Sequence, residues 1–503
     1  MFKIKYTSAN VIWPALFAMA GLVGCSQDED LMAGSEKDQT SVSAITSATA
    51  PTNLSFRANH YIVLSTQEKL PAGLENKLAT ANGKVTSLLS GAGVALVYSE
   101  DPAFITKASK ISGVRSVVRD FNAQWINPKD QKLVAVEAYG TPPASGDNDR
   151  FFDMQWGHAA IKASEAWNKG YRGKGALVAV LDSGFDTDHP DLAANIESKL
   201  SKSFVTGEEV AYKLNDPFSH GTHTAGTIAA ADNGIGTIGV APEARLMLVK
   251  VLTDEGSGAF SWIMQGILYA SANGADVISM SIGAAVPRNG RFLDDNNTPD
   301  DPSDDFIVND TKAVQELLVA LSRITNYATQ QGSLLIASAG NEANNGMTDQ
   351  SLVHLPSAAG NVVSISATTP IGWALNPTTT FMDNLASYSN YGITDVHFAA
   401  PGGDALYEGN ETATVSGLTR PAYVFDLVFS TGSLDSYYWS AGTSMAAPHA
   451  AGVAALIVGK NGGQISPSGL LAKLRASADD LGKPGQDPYY GYGRVNADRA
   501  VSN

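Results

Sequence analysis

Apolar residues along this chain fall into two kinds of run. Short, nearly continuous ones, Ala176 to Leu181, Arg245 to Val251, Val277 to Met280, Leu334 to Ala337 and Val362 to Ser366, read as strands buried on both faces. Between them lie longer segments with helical periodicity. His220 to about Ala231 and Phe260 to Ala272 are two. In a third, Val314, Leu317, Leu318, Leu321 and Ile324 mark one face. The alternation predicts an α/β domain with a mostly parallel sheet between helix layers. The first of the strand runs ends in Asp182, where such sheets carry their chemistry.

Upstream the pattern is that of a smaller unit. His60 to Ser65, Val94 to Tyr98 and Val114 to Trp125 are strand-like, and Glu68 to Ala81 and Asp101 to Ile111 are helical. A β-α-β-β-α-β order over about seventy residues suits a small α+β ferredoxin-like sandwich. A linker with Pro128, Pro142, Pro143 and a polar Gly146 to Asp149 tail follows. The expected organisation is a leader over 1–24, a tether over 25–56, the small domain over 57–125, the linker over 126–148 and the large domain over 149–503.

Lys3 and Lys5 precede an apolar stretch, Val11 to Val23, that is too short to span a bilayer and has the form of a signal-peptide core. Cys25 is the single cysteine, which excludes an intramolecular disulfide. It closes LVGC, which resembles the bacterial lipobox, whose cysteine is acylated and becomes the new N-terminus. Several acyl chains would anchor the protein stably to a membrane. The acidic run Ser26 to Asp30 resembles export signals of some Gram-negative surface lipoproteins, and Ser26 to about Arg57 has little to bury. These features predict an extracytoplasmic protein, lipid-anchored to the bacterial cell envelope at the outer membrane. The net charge of −16 argues against nucleic acid or an anionic membrane surface as partner.

GTSMAAPH, Gly442 to His449, places Ser444 at the start of a helix, among unpaired N–H groups that favour negative charge. A hydroxyl there can attack a carbonyl while its own N–H helps hold the oxyanion. It needs a base. HGTHTAG offers His220, and AVLDSG offers Asp182. The order Asp182, His220, Ser444 is that of subtilisin and not of α/β-hydrolases or chymotrypsin. Ala446 also stands where a GxSxG elbow would have its second glycine.

With ASAGNE, Ala337 to Glu342, these blocks resemble the four signature blocks of the subtilase family of serine proteases, from Asp149 to the C-terminus. DNDRFFDMQWG, Asp147 to Gly157, and the closing GYGRVNADRAV are also similar to the family. The resemblance implies a subtilisin-like three-layer domain and a serine endopeptidase working through an acyl-enzyme. Asp182 would orient His220, His220 would take the Ser444 proton, and Asn341 would hold the oxyanion. Ser281, Ile282 and Gly283 match a substrate-binding edge, and Ala339 and Gly340 the facing wall of the main specificity pocket. His354 falls where many relatives have a small residue at the pocket floor, and there it either narrows or polarises the pocket or points away from it. The loop Ala231 to Thr237 matches one that binds structural Ca²⁺ through the Asn233 side chain and the main chain at Ala231, Ile235 and Thr237, with Asp149 and Asp191 as carboxylate ligands. The small domain matches a prodomain that assists folding and plugs the active site. The implied product is a monomer made as an autoinhibited, lipid-anchored precursor, acting on proteins or peptides, whose catalytic domain leaves the membrane after processing unless the prodomain stays bound.

His223 belongs to no metal motif and is expected to be structural, as is His449. Two segments depart from the family. Arg288 to Asp310 carries Asp294, Asp295, Asp300, Asp301, Asp304 and Asp305 but lacks the glycine and terminal glutamate of an EF-hand, so a solvated loop is expected. Gly402 to about Asp426 is the other. A binding protein that keeps the fold without chemistry is disfavoured, because all four catalytic positions hold competent residues.

Overall fold

The structure, a computed structural model, describes residues 54–126, the backbone of 134–135, and 147–502 apart from 297, 299 and 300. The signal segment, Cys25 and most of the tether and linker lie outside the described residues.

The N-terminal domain runs β1 (Leu54–Ser65), α1 (Leu74–Thr80), β2 (Lys84–Leu89), β3 (Val94–Tyr98), α2 (Phe104–Ala108) and β4 (Val114–Gln124). Its antiparallel sheet has the order β2-β3-β1-β4, the ferredoxin-like arrangement expected. Val63, Val97 and Val117 pack with Leu78 of α1 and Phe104 of α2. β2 was not legible as a strand, since of its residues only Leu89 is buried. β1 begins ahead of Arg57.

β5 (Val134–Ala135) follows, then the short helices α3 (Trp156–Ala160) and α4 (Ala163–Asn168). The large domain continues through β6 (Leu177–Asp182), β7 (Lys202–Ser203), α5 (His220–Ala229), β8 (Arg245–Lys250), β9 (Ser257–Ala259), α6 (Phe260–Ala272) and β10 (Val277–Met280). Next come β11 (Ala284–Pro287), β12 (Arg291–Asp294), β13 (Phe306–Asn309), α7 (Thr311–Gln330), β14 (Leu334–Ser338), β15 (Leu352–Leu355), β16 (Val362–Thr369), β17 (Asn384–Leu385) and β18 (Phe398–Pro401). The chain closes with β19 (Thr412–Val415), β20 (Leu418–Pro421), β21 (Val428–Thr431), β22 (Tyr437–Ser440), α8 (Thr443–Lys460), α9 (Pro467–Ser477) and α10 (Ala497–Ser502).

The main sheet has the order β17-β16-β14-β10-β6-β8-β7, with β18 beside β16, and all its pairs but β16–β17 are parallel. Along β6, Val178 and Val180 join a core built with α5 and α8, while Leu177, Ala179 and Leu181 join one built with α6 and α7. Successive strand side chains point to opposite faces, so helices on both sides require the continuous apolar runs seen in the sequence. This is the three-layer α/β domain. Caps fix helix starts: Ser219 accepts the Thr222 N–H at 3.1 Å for α5, and Asp310 accepts that of Ala313 at 2.9 Å for α7.

Arg288 to Asp310 differs from the solvated loop expected of it. It folds as the β12–β13 hairpin, with Phe292 and Asp294 buried. Only a partner surface makes that burial favourable, and β1 supplies it. The Gly402 to Asp426 segment contributes the β19–β20 hairpin.

Candidate active site

β6 ends at Asp182, and α5 begins at His220 because Ser219 caps it, so the two side chains meet at the carboxyl edge of the sheet. Both are buried, with His220 Nδ1 2.7 Å from Asp182 Oδ1. The same oxygen accepts the Ser183 N–H at 2.7 Å, and Oδ2 accepts the Thr224 hydroxyl at 3.1 Å. These bonds leave the carboxylate one orientation, which favours the Nδ1–H tautomer of His220 and directs its Nε2 away from Asp182. Thr224 went unrecognised in the sequence: a threonine one turn into a helix carries no signal of its own.

Ser444 is the second residue of α8 and is half-buried. Pro448 removes the N–H that would have bonded the Ser444 carbonyl within the helix. Asn341, after β14, lies beside it. Its Oδ1 accepts both the main-chain N–H (3.0 Å) and the hydroxyl (2.7 Å) of Thr443, so its amide N–H groups face elsewhere. A side chain begun at Gly442 would start 3.5 Å from Asn341 Nδ2 and 3.5 Å from the Ser444 nitrogen. Two nitrogens able to donate thus lie equally near one point beside the serine, where a developing oxyanion could be held. Thr443, which locks the asparagine, was also missed in the sequence.

The expected substrate segments border this site. Gly283 donates its N–H to the carbonyl of Trp125 at 3.3 Å, and Ser338 donates its hydroxyl to the Ile282 carbonyl at 3.1 Å. Across from Gly283, Trp125 and Ile126 donate to the Gly256 carbonyl at 3.0 and 3.2 Å. Just upstream, β4 pairs antiparallel with β9, Asn122 opposite Ala259 and Gln124 opposite Ser257. The Trp125 indole donates to the Gly258 carbonyl at 2.8 Å and lies 4.5 Å from the Phe260 ring. β4 ends at Gln124, and the extension through Trp125 and Ile126 is bonded to both segments of the large domain. Farther along, Val134 and Ala135 pair with Trp439 and Tyr438 of β22, the strand leading into Gly442.

Ala339 and His354 line one cavity together with Asn344, Asn390 and Tyr391. His354 Nδ1 is 3.2 Å from Glu342 Oε2, and its Nε2 is buried without a partner. Asn390 ties this wall together, donating to the Ala339 carbonyl at 3.0 Å and accepting the N–H groups of Glu342 and Asn344.

The expected calcium ligands are brought close, with a different pattern of bonds. Asp149 Oδ1 accepts the N–H groups of Asn233 and Gly234 at 3.3 and 3.2 Å, and Asp191 Oδ2 accepts that of Thr237 at 2.8 Å. Asn233 Oδ1 caps Ile235 N–H at 3.1 Å, and the Ala231 N–H goes to the Asp191 carbonyl. Among the described residues the carboxylates able to share an ion are Asp147, Asp149 and Asp232, of which Asp147 and Asp232 were not expected. Asp149 Oδ2 is buried without a partner. Burial, then the neighbouring Asp147, pushes Asp149 up to about 8, and burial pushes Asp191 up to about 6. The spare buried oxygen of Asp149 suits a hard divalent ion, whereas both oxygens of Asp191 already accept hydrogen bonds and Asp232 is paired with Arg172.

His223 and His449 are buried, their rings facing the carbonyls of Val428 (3.2 Å) and Met445 (2.8 Å), and both fill structural positions.

The family model described as Peptidase_S8, the subtilase family, matches residues 173–493. Subtilisin NAT of Bacillus subtilis subsp. natto is 31% identical over 439 residues, covering 87% of this chain and 93% of its own. Thermitase of Thermoactinomyces vulgaris is 31% identical over 357 residues, 70% of this chain and 98% of its own. Among solved structures, a lanthipeptide protease is 30% identical with a TM-score of 0.55, covering 72% of this chain and 99% of its own. The epidermin leader peptide processing serine protease of Staphylococcus aureus has a TM-score of 0.63 at 20% identity over 88% of this chain and 97% of its own, a likeness of fold.

Proposed function

Given that this chain belongs to the subtilase family and is a serine endopeptidase, we propose that Asp182, His220 and Ser444 form its catalytic triad and that its N-terminal domain inhibits it until processed. His220 Nε2 takes the Ser444 proton as the oxygen attacks the scissile carbonyl. Asp182 holds the imidazole and stabilises its charged form. Asn341 and the Ser444 N–H receive the oxyanion. The tetrahedral intermediate collapses by expelling the amine, to which His220 gives its proton. Water then repeats the sequence on the acyl-enzyme.

The observation that carries this reading is the 2.7 Å Asp182–His220 contact, together with the paired donors beside Ser444. A fluorophosphonate probe tests it: labelling at Ser444 after processing is expected. No labelling of a folded, processed chain contradicts it.

Substrate binds as an added strand between the Gly256 to Gly258 and Ser281 to Gly283 edges, with Ala339, Gly340 and His354 lining the specificity pocket. Gln124 to Ile126 occupy those edges, which supports inhibition by the chain's own N-terminal domain. Self-cleavage falls in the expected window, Ile126 to Asp149. Bonding to the two edges up to Ile126, and to β22 from Val134, favours the part between them. Asp149 and Asp191, with the Asn233 loop, would hold a Ca²⁺ ion, whose role is to brace the loop. Cys25 carries the lipid, which anchors the precursor in the bacterial envelope.

A further inference from the structure

Among the described residues β12 and β13 pair with each other and with no other strand. The hairpin nonetheless has a buried face and an open one: Phe292 and Asp294 are each 1% exposed, whereas Leu293 between them is 45% exposed. The buried face meets the N-terminal domain. The Phe292 ring lies 5.8 Å from Phe56 of β1 and 5.8 Å from Phe121 of β4, and those two rings are 4.9 Å apart. The Arg119 guanidinium sits 4.8 Å from the Phe56 ring. β3 pairs β1 only from His60 to Leu64, so it does not reach the first residues of β1. There Asp294 Oδ2 takes the Phe56 N–H at 2.9 Å, while its Oδ1 takes that of Asn296 at 2.9 Å. A buried carboxylate thus accepts from the main chain of β1 beyond its pairing with β3, beside a three-ring aromatic cluster.

The hairpin makes its contacts outside the cleft, although Phe121 also lies 6.3 Å from Phe260, against which Trp125 packs at 4.5 Å. They also differ from the attachment to the helices, where Asp120 accepts the Ser261 N–H (3.2 Å) and hydroxyl (2.6 Å) at the start of α6, and Glu316 of α7 pairs with Arg115 at 3.0 Å. We propose that the β12–β13 hairpin is a clasp for the N-terminal domain, holding the Phe56 end of its sheet through Phe292 and Asp294, so that a cut in the linker does not free the domain. The regulatory meaning of the clasp rests on the reading that this domain is the inhibitor. Three separated attachments hold longer than any one, because each keeps the others at high local concentration. Loss of one shows chiefly in the rate of release.

The test uses the Ser444→Ala chain, which cannot cut itself, with residues 127–133 replaced by the recognition sequence of a site-specific protease. After cleavage by that protease, release of the N-terminal fragment is followed by size-exclusion chromatography. Phe292→Ala and Asp294→Ala are expected to release it roughly tenfold faster or more. Leu293→Ala, on the open face, should leave the rate unchanged. Phe56→Ala should speed release from the other side, and its effect should add less than fully to that of Phe292→Ala. Should Phe292→Ala fold poorly, Phe56→Ala and Asp294→Asn carry the test. Unchanged release in folded variants, equal acceleration by Leu293→Ala, or full additivity overturns the clasp. In a parallel active chain, hydrolysis of peptide while the fragment is still bound contradicts inhibition and leaves the clasp standing.

Discussion

Trp125 and Gly283 are joined main chain to main chain, the Gly283 N–H reaching the Trp125 carbonyl at 3.3 Å, while the Trp125 N–H reaches Gly256 on the opposite side at 3.0 Å. One residue from the end of the N-terminal domain is thereby bonded to both walls of the cleft in which a substrate strand would lie. On the proposed reading, a segment so held would lie as a substrate does and block the cleft.

Trp125→Ala should therefore shorten the lag before activity. The indole is buried against Phe260 and bonded to Gly258, and removing a buried aromatic side chain costs about 3–5 kcal/mol. Part of that falls on docking, so a lag at least roughly tenfold shorter is expected in a time course of peptide hydrolysis after dilution of fresh precursor. A lag equal to wild type would show that the cleft strand does not hold the domain.

Removing one oxyanion donor costs on the order of 10²–10³ in turnover in a subtilisin, and a loss of that size is expected of Asn341→Ala. Thr443→Val tests the positioning. It removes the hydroxyl that accepts the Gly340 N–H and donates to Asn341, so kcat should fall about tenfold with little change in KM. A KM effect alone would assign Thr443 to substrate binding instead.

The fold was legible wherever period and burial agree. β6, α6 and β10 were readable because each is an apolar run or stripe packed on two sides, and α7 because Val314, Leu317, Leu321 and Ile324 all face the core. The site was legible where a residue sits in a motif, as Asp182, His220, Asn341 and Ser444 do. It was not legible where a common residue acts through its neighbours. Thr224 and Thr443 look like any helical threonine, and their function comes from the oxygen each happens to meet. The β12–β13 hairpin was misread for a similar reason. Its aspartates suggest solvent, and only the approach of Phe56, 238 positions away from Asp294, makes burying one of them favourable.

The buried histidines should destabilise the chain as pH falls, against the raised carboxyls of Asp149 and Asp191, which act in the opposite sense. Burial lowers His449 to about 4, lowers His223 to about 3 with help from the nearby His220, and holds His158 well below its ordinary range. In the unfolded chain each titrates near about 6.5, so between that pH and the folded values the unfolded state binds more protons. Their contribution is fully present above about 6.5 and is lost as pH falls toward 4 and then 3. The histidine share is read by comparison: as pH falls over that window, the Ser444→Ala protein should lose more Tm than the same chain with His158 replaced by Phe. A Tm difference between the two that stays constant from about pH 6.5 to 4 would contradict the assignment.

Calcium should raise the Tm, because the ion binds the folded arrangement of Asp149, Asp191 and the Asn233 loop and not the unfolded chain. Chelator should lower it by several degrees, and Asp149→Asn should shrink the difference. Indifference of wild type to chelator and to added calcium would rule out the site.

Cys25→Ser should move the protein from the detergent phase to the aqueous phase, because the acyl chains would have no attachment. Unchanged partitioning would count against the lipid anchor.

The central claim, a serine peptidase that processes itself out of its own cleft, is tested most directly by expressing wild type and Ser444→Ala side by side and identifying their N-termini by mass spectrometry. Wild type should begin at a residue between Ile126 and Asp149, and Ser444→Ala should keep its N-terminal domain joined. A mutant cut at the same bond as wild type, or a wild type never cut in that window, would contradict it.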